Sequence, residues 1–163
     1  MSINQIIKEK CENSLLFFTR YIFKENTGNK FEAAKFHETL ANTLQKVNEG
    51  KIKRLIINVP PRYGKTEIAV KMFIAWSLAK RPESKFIHLS YSDSLALDNS
   101  SMTKEYINSD AFQRIWGLTL KKDSQSQKSG TQKKAAAYML RLQVVRLRGL
   151  VRVLEALLLL MIH

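Results

Sequence analysis

The segment between Arg54 and Thr66 constrains this chain more than any other part of its sequence. A largely apolar run, 55–59, leads into a turn that closes with Gly64-Lys65-Thr66, and a helix-forming segment follows at once. A strand, a tight turn and a helix in this order form the loop that holds nucleotide phosphates. Backbone N–H groups bind phosphate oxygens, the lysine contacts the β- and γ-phosphates, and the hydroxyl binds Mg²⁺. The segment therefore predicts a site for ATP and Mg.

The turn departs from the full phosphate-loop consensus at its beginning. Val59 occupies the position where the consensus has its first glycine. Pro60 and Pro61 follow, and each fixes its own φ and lacks a backbone N–H. The motif thus depends on its structural context, a strand before it and a helix after it.

The loop sequence points to a family. Asn58-Val-Pro-Pro-Arg-Tyr-Gly-Lys-Thr66 closely resembles the phosphate loop of tailed-phage terminase large subunits, the ATPases that pump DNA into capsids. Weaker similarities flank it, with Phe36-His37 and the turn 48–55 upstream and the runs 85–92 and 110–116 downstream. The resemblance covers roughly residues 15–127, and the loop is its specific part.

The resemblance implies which residues act. Lys65 would contact the transferred phosphate and Thr66 would bind Mg through its hydroxyl. Arg62 is either a charge sensor on the nucleotide or a solvated arginine of the turn, so Lys65 and Arg62 are the candidate catalytic residues. The cofactors ATP and Mg would be bound by the turn as a whole: Pro61, Arg62, Tyr63, Gly64, Lys65 and Thr66.

Hydrophobic periodicity predicts alternating helices and strands, and therefore an α/β fold. The expected architecture is an incomplete P-loop NTPase parallel sheet with an N-terminal helical lead-in and a C-terminal helical tail. The parts are a lead-in over 1–53, a partial ATPase core over 54–127 and the tail over 128–163. Helices are predicted over 3–24, 33–47, 65–80 and 94–108, and buried strands over 54–59 and 86–91.

The composition changes near Lys128. Residues 1–127 contain 20 basic and 13 acidic side chains, whereas residues 128–163 contain 7 basic and 1 acidic and are rich in leucine. The resemblance implies a glycine-rich segment and a strand ending in Asp here, and neither is present. A shifted reading frame joins the last nucleotide of each codon to the first two of the next. This frame can encode both the glycine-rich segment and the Asp, and the codons of Met161 and Ile162 then always give Asp. We therefore expect a frameshift just before Lys128 and an out-of-frame tail.

Charge and cysteine content bound the partners and the compartment. The 163 residues carry a formal net charge of +13, which favours a polyanion such as double-stranded DNA. Cys11 is the single cysteine, so an intrachain disulfide is excluded and a cytoplasmic protein is expected. No signal peptide is predicted, and the apolar run 156–162 is too short to cross a bilayer, so no membrane partner is expected.

The leading hypothesis is an N-terminal fragment of a terminase large subunit, prophage-encoded and inactive by itself. The resemblance implies a bacterial host cytoplasm, contacts with a capsid portal and a small terminase subunit, and oligomers only in the intact motor. Whether this chain is an enzyme stays open, because the acidic catalytic motif and the nuclease domain of the family are not found in it. Two alternatives remain: another P-loop, helicase-like ATPase, or a small basic DNA- or membrane-associated non-enzyme acting through the tail.

Overall fold

The computed structural model of the protein describes residues 2–90, 92–118 and 158–162. Most of these residues are helical. A π-helical segment, Glu67–Met72, continues without a break into α4, and the residues before it, Lys65 and Thr66, are already helical. The other elements are α1 (Ile3–Asn13), α2 (Leu15–Thr27), α3 (Lys35–Asn48), α4 (Phe73–Lys80), β1 (Lys85–Leu89), α5 (Asp93–Asn108), α6 (Asp110–Trp116) and β2 (Leu158–Ile162).

The region predicted as one helix over 3–24 is two helices, separated at Ser14. Ser14 has an extended backbone, with φ −143° and ψ 113°, and its hydroxyl accepts a hydrogen bond from Phe17 N at 3.2 Å. A serine in this conformation caps a new helix, so the hydrophobic periodicity continues while the axis changes direction. Gly28, in the left-handed region with φ 73°, ends α2.

The helix that follows the glycine turn lies at the centre of the fold. Every residue from Ile68 to Ala79 is buried. Helices α1, α2, α3 and α5 all pack against the π-helical segment or α4. A helix that is covered on all sides belongs to the core of a helical assembly, whereas a helix lying on a sheet keeps one exposed face.

The predicted parallel sheet is wrong. Residues 54–59 form no strand: Leu55 and Ile57 are half-buried, and Ile56 between them is 92 % exposed. A strand requires hydrogen-bonded neighbours, and the described residues place none beside this segment. The second predicted strand is present as β1, but its partner is β2 in an antiparallel ladder, with Lys85 opposite Ile162. The described part of the chain thus contains no parallel strand pair.

The predicted helical tail is also wrong where it can be compared. Residues 158–162 of the tail form strand β2. The remainder of the tail, 128–157 and His163, lies outside the described residues, as does the end of the predicted ATPase core, 119–127. Within the described residues, no helix combines the length and hydrophobicity needed to cross a bilayer.

Two aromatic clusters fill the core. Phe18, Phe112 and Trp116 meet with ring centroids 4.8–6.2 Å apart where α2 meets α6. Phe73 contacts Trp76 at 6.5 Å and Phe86 at 6.3 Å, which joins α4 to β1. Edge-on and tilted arrangements at these distances add stabilisation beyond the area they bury.

A buried hydrogen bond links the first helix to the central one. The indole nitrogen of Trp76 donates to the Cys11 carbonyl at 2.8 Å, and both residues are almost fully buried. The Cys11 thiol lies in the same apolar region. Burial, and then the nearby Glu12 carboxylate, raise the pKa of this thiol to about 12, so it stays protonated near neutral pH.

Replacing Trp76 by phenylalanine tests this link. Trp76→Phe removes the indole donor and leaves the Cys11 carbonyl with the long bond from the Ser14 amide, at 3.4 Å. We expect the free energy of unfolding in urea to fall by about 1 kcal/mol. Trp116→Phe is the matched control, since Trp116 donates to the Glu12 carboxylate at 3.3 Å from a half-buried position. Equal losses in the two variants would show that the hydrogen bond to Cys11 adds nothing specific.

Candidate phosphate-binding loop

The backbone of the loop before the central helix has an unusual conformation. Arg62 and Gly64 have φ values of 67° and 69°, while Tyr63 between them has a negative φ. Left-handed φ is uncommon for residues other than glycine, so Arg62 is held in a conformation that costs about 1 kcal/mol or more. When successive residues alternate between left-handed and right-handed backbone conformations, their N–H groups point to the same side of the chain. Such concave turns bind anions.

Gly64 is required for a second reason. A β-carbon at this position would lie 3.3 Å from Nε2 of His37 and 3.7 Å from the ring of Phe31. Any side chain here would therefore press on a buried imidazole as well as occupy the left-handed region. The loop lies directly against the first turn of α3 as a result.

The Lys65 side chain folds back over the loop. Its ammonium donates to the Val59 carbonyl at 3.0 Å, across the turn that separates the two residues. Lys65 is half-buried at the first turn of the central helix, and the amide of Ile68 closes that turn on the Gly64 carbonyl at 3.2 Å. The first N–H groups of a helix have no intrahelical acceptor. The Lys65 ammonium and the first amides of the helix thus lie side by side, a donor set suited to phosphate oxygens.

Thr66 is the residue of the loop that could bind a metal. It is half-buried within the same helical turn, next to Lys65. In the part of the chain that the structure describes, no three His, Cys, Asp or Glu residues form a group that could hold an ion. A hydroxyl at this position could contribute one ligand to a Mg²⁺ that is otherwise held by nucleotide phosphates and water, as is common for this ion.

The remaining residues of the predicted site, Pro61, Arg62 and Tyr63, are exposed. Tyr63 is 54 % exposed, and its ring lies 6.0 Å from that of Phe36 in an edge-on arrangement. All six residues of the predicted site are thus contiguous around the start of one helix. The helix expected after the turn is present, whereas the strand expected before it, 54–59, is not. The exposed position of Arg62 is compatible with both roles considered for it.

His37 is a neighbour of the loop that was not among the residues predicted for the site. It is 7 % exposed, and Nε2 of its ring lies 3.0 Å from the Tyr63 carbonyl. No spacing rule connects residues 37 and 63, so the sequence carried little signal for this contact. The pair Phe36-His37, which belongs to the family resemblance, was the one available indication.

A buried polar cluster fixes the helix on the other side of the loop. The carboxylate of Glu67, directly after Thr66, pairs with Lys71 at 3.0 Å and accepts from the Tyr106 hydroxyl at 2.7 Å. Lys71 also lies 3.1 Å from the Met102 sulfur, so the cluster joins the π-helical segment to α5. The side chains of Lys71 and Glu67 are only 11 % and 16 % exposed.

The same cluster affects the ionisation of Tyr106. Burial, and then the hydrogen bond to Glu67, raise the pKa of its phenol above the ordinary value of 10.0. The folded state therefore retains a proton that the unfolded chain releases above that pH. This contribution to stability is complete below pH 10 and is lost as the pH rises beyond it.

Two concave surfaces lie away from the loop. One lies along α1 and the start of α2, with Ile6, Lys10 and Phe17 in its lining. The other lies between α2 and α6, where Arg114 and Glu25 form an exposed ion pair at 3.4 Å. Neither brings together groups that resemble a catalytic or phosphate-binding set, so the loop is the better candidate.

Comparison of the chain with protein-family models, with curated proteins and with solved structures gave no match. The similarity to terminase large subunits consequently rests on the residues of the loop and its flanks.

Two substitutions separate the contributions of the cluster below the loop. Glu67→Gln leaves the Lys71 ammonium buried without its counter-ion, and we expect a loss of about 3 kcal/mol in the free energy of unfolding. Tyr106→Phe removes a neutral donor, and we expect about 1 kcal/mol. Urea titrations at pH 7 measure both. The prediction fails if Tyr106→Phe is the more destabilising change.

Proposed function

We propose that the turn before the central helix binds the triphosphate of ATP together with Mg²⁺. The observation that carries this proposal is the position of Lys65 and Thr66, which open a buried helix directly after a turn containing left-handed Arg62 and Gly64. The hydrogen bond from Lys65 to Val59 keeps the ammonium over this turn. A phosphate would replace that carbonyl as the acceptor, at the end of the helix where the dipole favours negative charge.

Each residue has a defined part in such a site. The Lys65 ammonium would neutralise charge on the β- and γ-phosphates, and the amides at the start of the helix would bind phosphate oxygens. Thr66 would contribute its hydroxyl to Mg²⁺, which screens the remaining charge. Arg62, exposed at the rim, would approach the nucleotide from solvent.

We infer binding without rapid hydrolysis for this chain. Hydrolysis by this class of site requires a carboxylate that orients the attacking water and helps to hold the metal. Glu67 is the acidic residue next to the loop, but its carboxylate is already occupied by Lys71 and Tyr106. The proposed site thus has hydrogen-bond donors for phosphate, but Glu67 is not available to it as a base.

We further propose that the ATP site belongs to the N-terminal part of a terminase large subunit, a motor that packages double-stranded DNA. Support comes from the loop sequence Asn58–Thr66 and from the excess of basic over acidic side chains in residues 1–127, 20 against 13, which suits a protein that works on a polyanion. The portal and the small terminase subunit would then be partners of the intact motor.

Nucleotide titration tests the loop directly. We expect Lys65→Ala to weaken MgATP binding by roughly ten- to a hundredfold, because it removes a charge-assisted hydrogen bond to phosphate. Thr66→Val should remove the dependence of binding on Mg²⁺. Lys53→Ala is the control for net charge, since Lys53 is exposed and outside the turn. Calorimetry with MgATP and with ATP in EDTA measures all three, and equal affinities for wild type and Lys65→Ala would refute the site.

Sequencing of the gene tests the assignment to a DNA-packaging motor. We expect the frame shifted by one nucleotide beyond codon 127 to encode a glycine-rich segment, then Asp where Met161 and Ile162 now stand, and then a long open frame. A shifted frame that is closed by stop codons would instead mark residues 128–163 as native sequence. The basic non-enzyme acting through that segment would then be the better hypothesis.

A further inference from the structure

We propose that His37 is a positioning residue. It acts as a clamp, which means that it holds the phosphate-binding turn from the side of α3 and so orients the Gly64 amide towards the triphosphate. This inference rests on the proposed function of the turn. His37 lies in α3, 26 positions before Tyr63, the residue of the turn that it contacts.

The hydrogen bonds determine which ring nitrogen carries the proton. The Ala34 amide donates to Nδ1 of His37 at 2.9 Å, so Nδ1 must be an acceptor without a proton. A neutral imidazole then carries its proton on Nε2. Nε2 lies 3.0 Å from the Tyr63 carbonyl and donates to it. The ring therefore links the start of α3 to the turn, and each of its nitrogens has one role.

The surroundings of the ring leave it little freedom. Phe36 lies against it with a centroid distance of 3.7 Å, and Phe31 meets it edge-on at 5.3 Å. The backbone of Gly64 also packs against the His37 ring, because a β-carbon at this position would lie 3.3 Å from Nε2. A ring enclosed in this way holds its hydrogen-bond partners in place, whereas a solvated side chain would not.

The bond to Tyr63 fixes the direction of the next donor. In a trans peptide the carbonyl and the following N–H point in opposite directions. Because the Tyr63 carbonyl faces His37, the Gly64 N–H must face away from α3. We infer that it faces the solvent side of the turn, where Pro61 and Arg62 are exposed. The clamp thus holds one amide in the orientation that a phosphate oxygen needs, before any ligand arrives.

Two substitutions at His37 separate the bond to the turn from the bond that caps α3. The amide of His37→Gln can reach as far as Nε2 and can still donate to the Tyr63 carbonyl. The shorter amide of His37→Asn matches Nδ1, so it can accept from Ala34 but cannot reach Tyr63. Both variants lose the ring and its aromatic contacts, which makes them a matched pair for packing.

The pair is compared by MgATP affinity and thermal midpoint. We expect His37→Asn to bind MgATP roughly tenfold more weakly than wild type, because an orienting hydrogen bond is lost. His37→Gln should remain within about threefold, with a similar thermal midpoint in the two variants. Equal affinities for the two variants at similar midpoints would overturn the proposal, since the ring would then act through packing alone.

Two measurements without nucleotide test the clamp independently of ATP binding. The ¹⁵N spectrum of His37 should show the tautomer protonated at Nε2, and a proton on Nδ1 would refute the clamp. Hydrogen exchange of the amides of residues 63–66 should be faster in His37→Asn than in His37→Gln. Failure of wild-type MgATP binding together with this exchange difference would refute the proposed function and leave the clamp standing. Equal exchange rates would refute the clamp.

Discussion

The continuous burial of one helix is the constraint on which the rest of the structure depends. From Ile68 to Ala79 no side chain of this helix reaches solvent freely, so each surrounding helix covers a part that would otherwise be apolar surface. At roughly 25 cal/mol per Å² of buried apolar area, the loss of any one neighbour would be costly. The helices therefore depend on one another, and the fold is expected to unfold as a unit.

The turn that we propose to bind phosphate is positioned by this helix. Lys65 and Thr66 occupy its first turn, and Glu67 anchors that turn to α5 through Lys71 and Tyr106. On the opposite side His37 holds the Tyr63 carbonyl from α3. The segment that leads into the turn is much less constrained, since Ile56 is exposed and residues 54–59 join no sheet. One end of the loop is thus attached through the buried helix and His37. The other end is attached through the packing of Leu55 and Ile57 on the core and through the bond from Lys65 to Val59.

The sequence predicted local structure well, but it did not predict which segments contact one another. Helix periodicity located α3, α5 and the helix from Lys65 to Lys80 to within a few residues, because each buries side chains at regular spacing. The run at 54–59 had the composition of a buried strand, yet a strand depends on partners that composition does not specify. The turn residues followed from a motif in which each side chain has a chemical reason. His37 could not be found in this way, since its contact with Tyr63 depends on how α3 meets the turn in space.

The buried thiol of Cys11 has a consequence for how motions of this protein can be followed. The thiol is enclosed where α1 meets the central helix, beside the hydrogen bond from Trp76. Only a thiolate attacks alkylating reagents readily, and a thiol with a pKa of about 12 supplies almost none near neutral pH. Modification must therefore wait for an opening or unfolding of the core that exposes Cys11. Because the chain has a single cysteine, the rate of labelling reports the exposure of this one site, with no engineered probe needed.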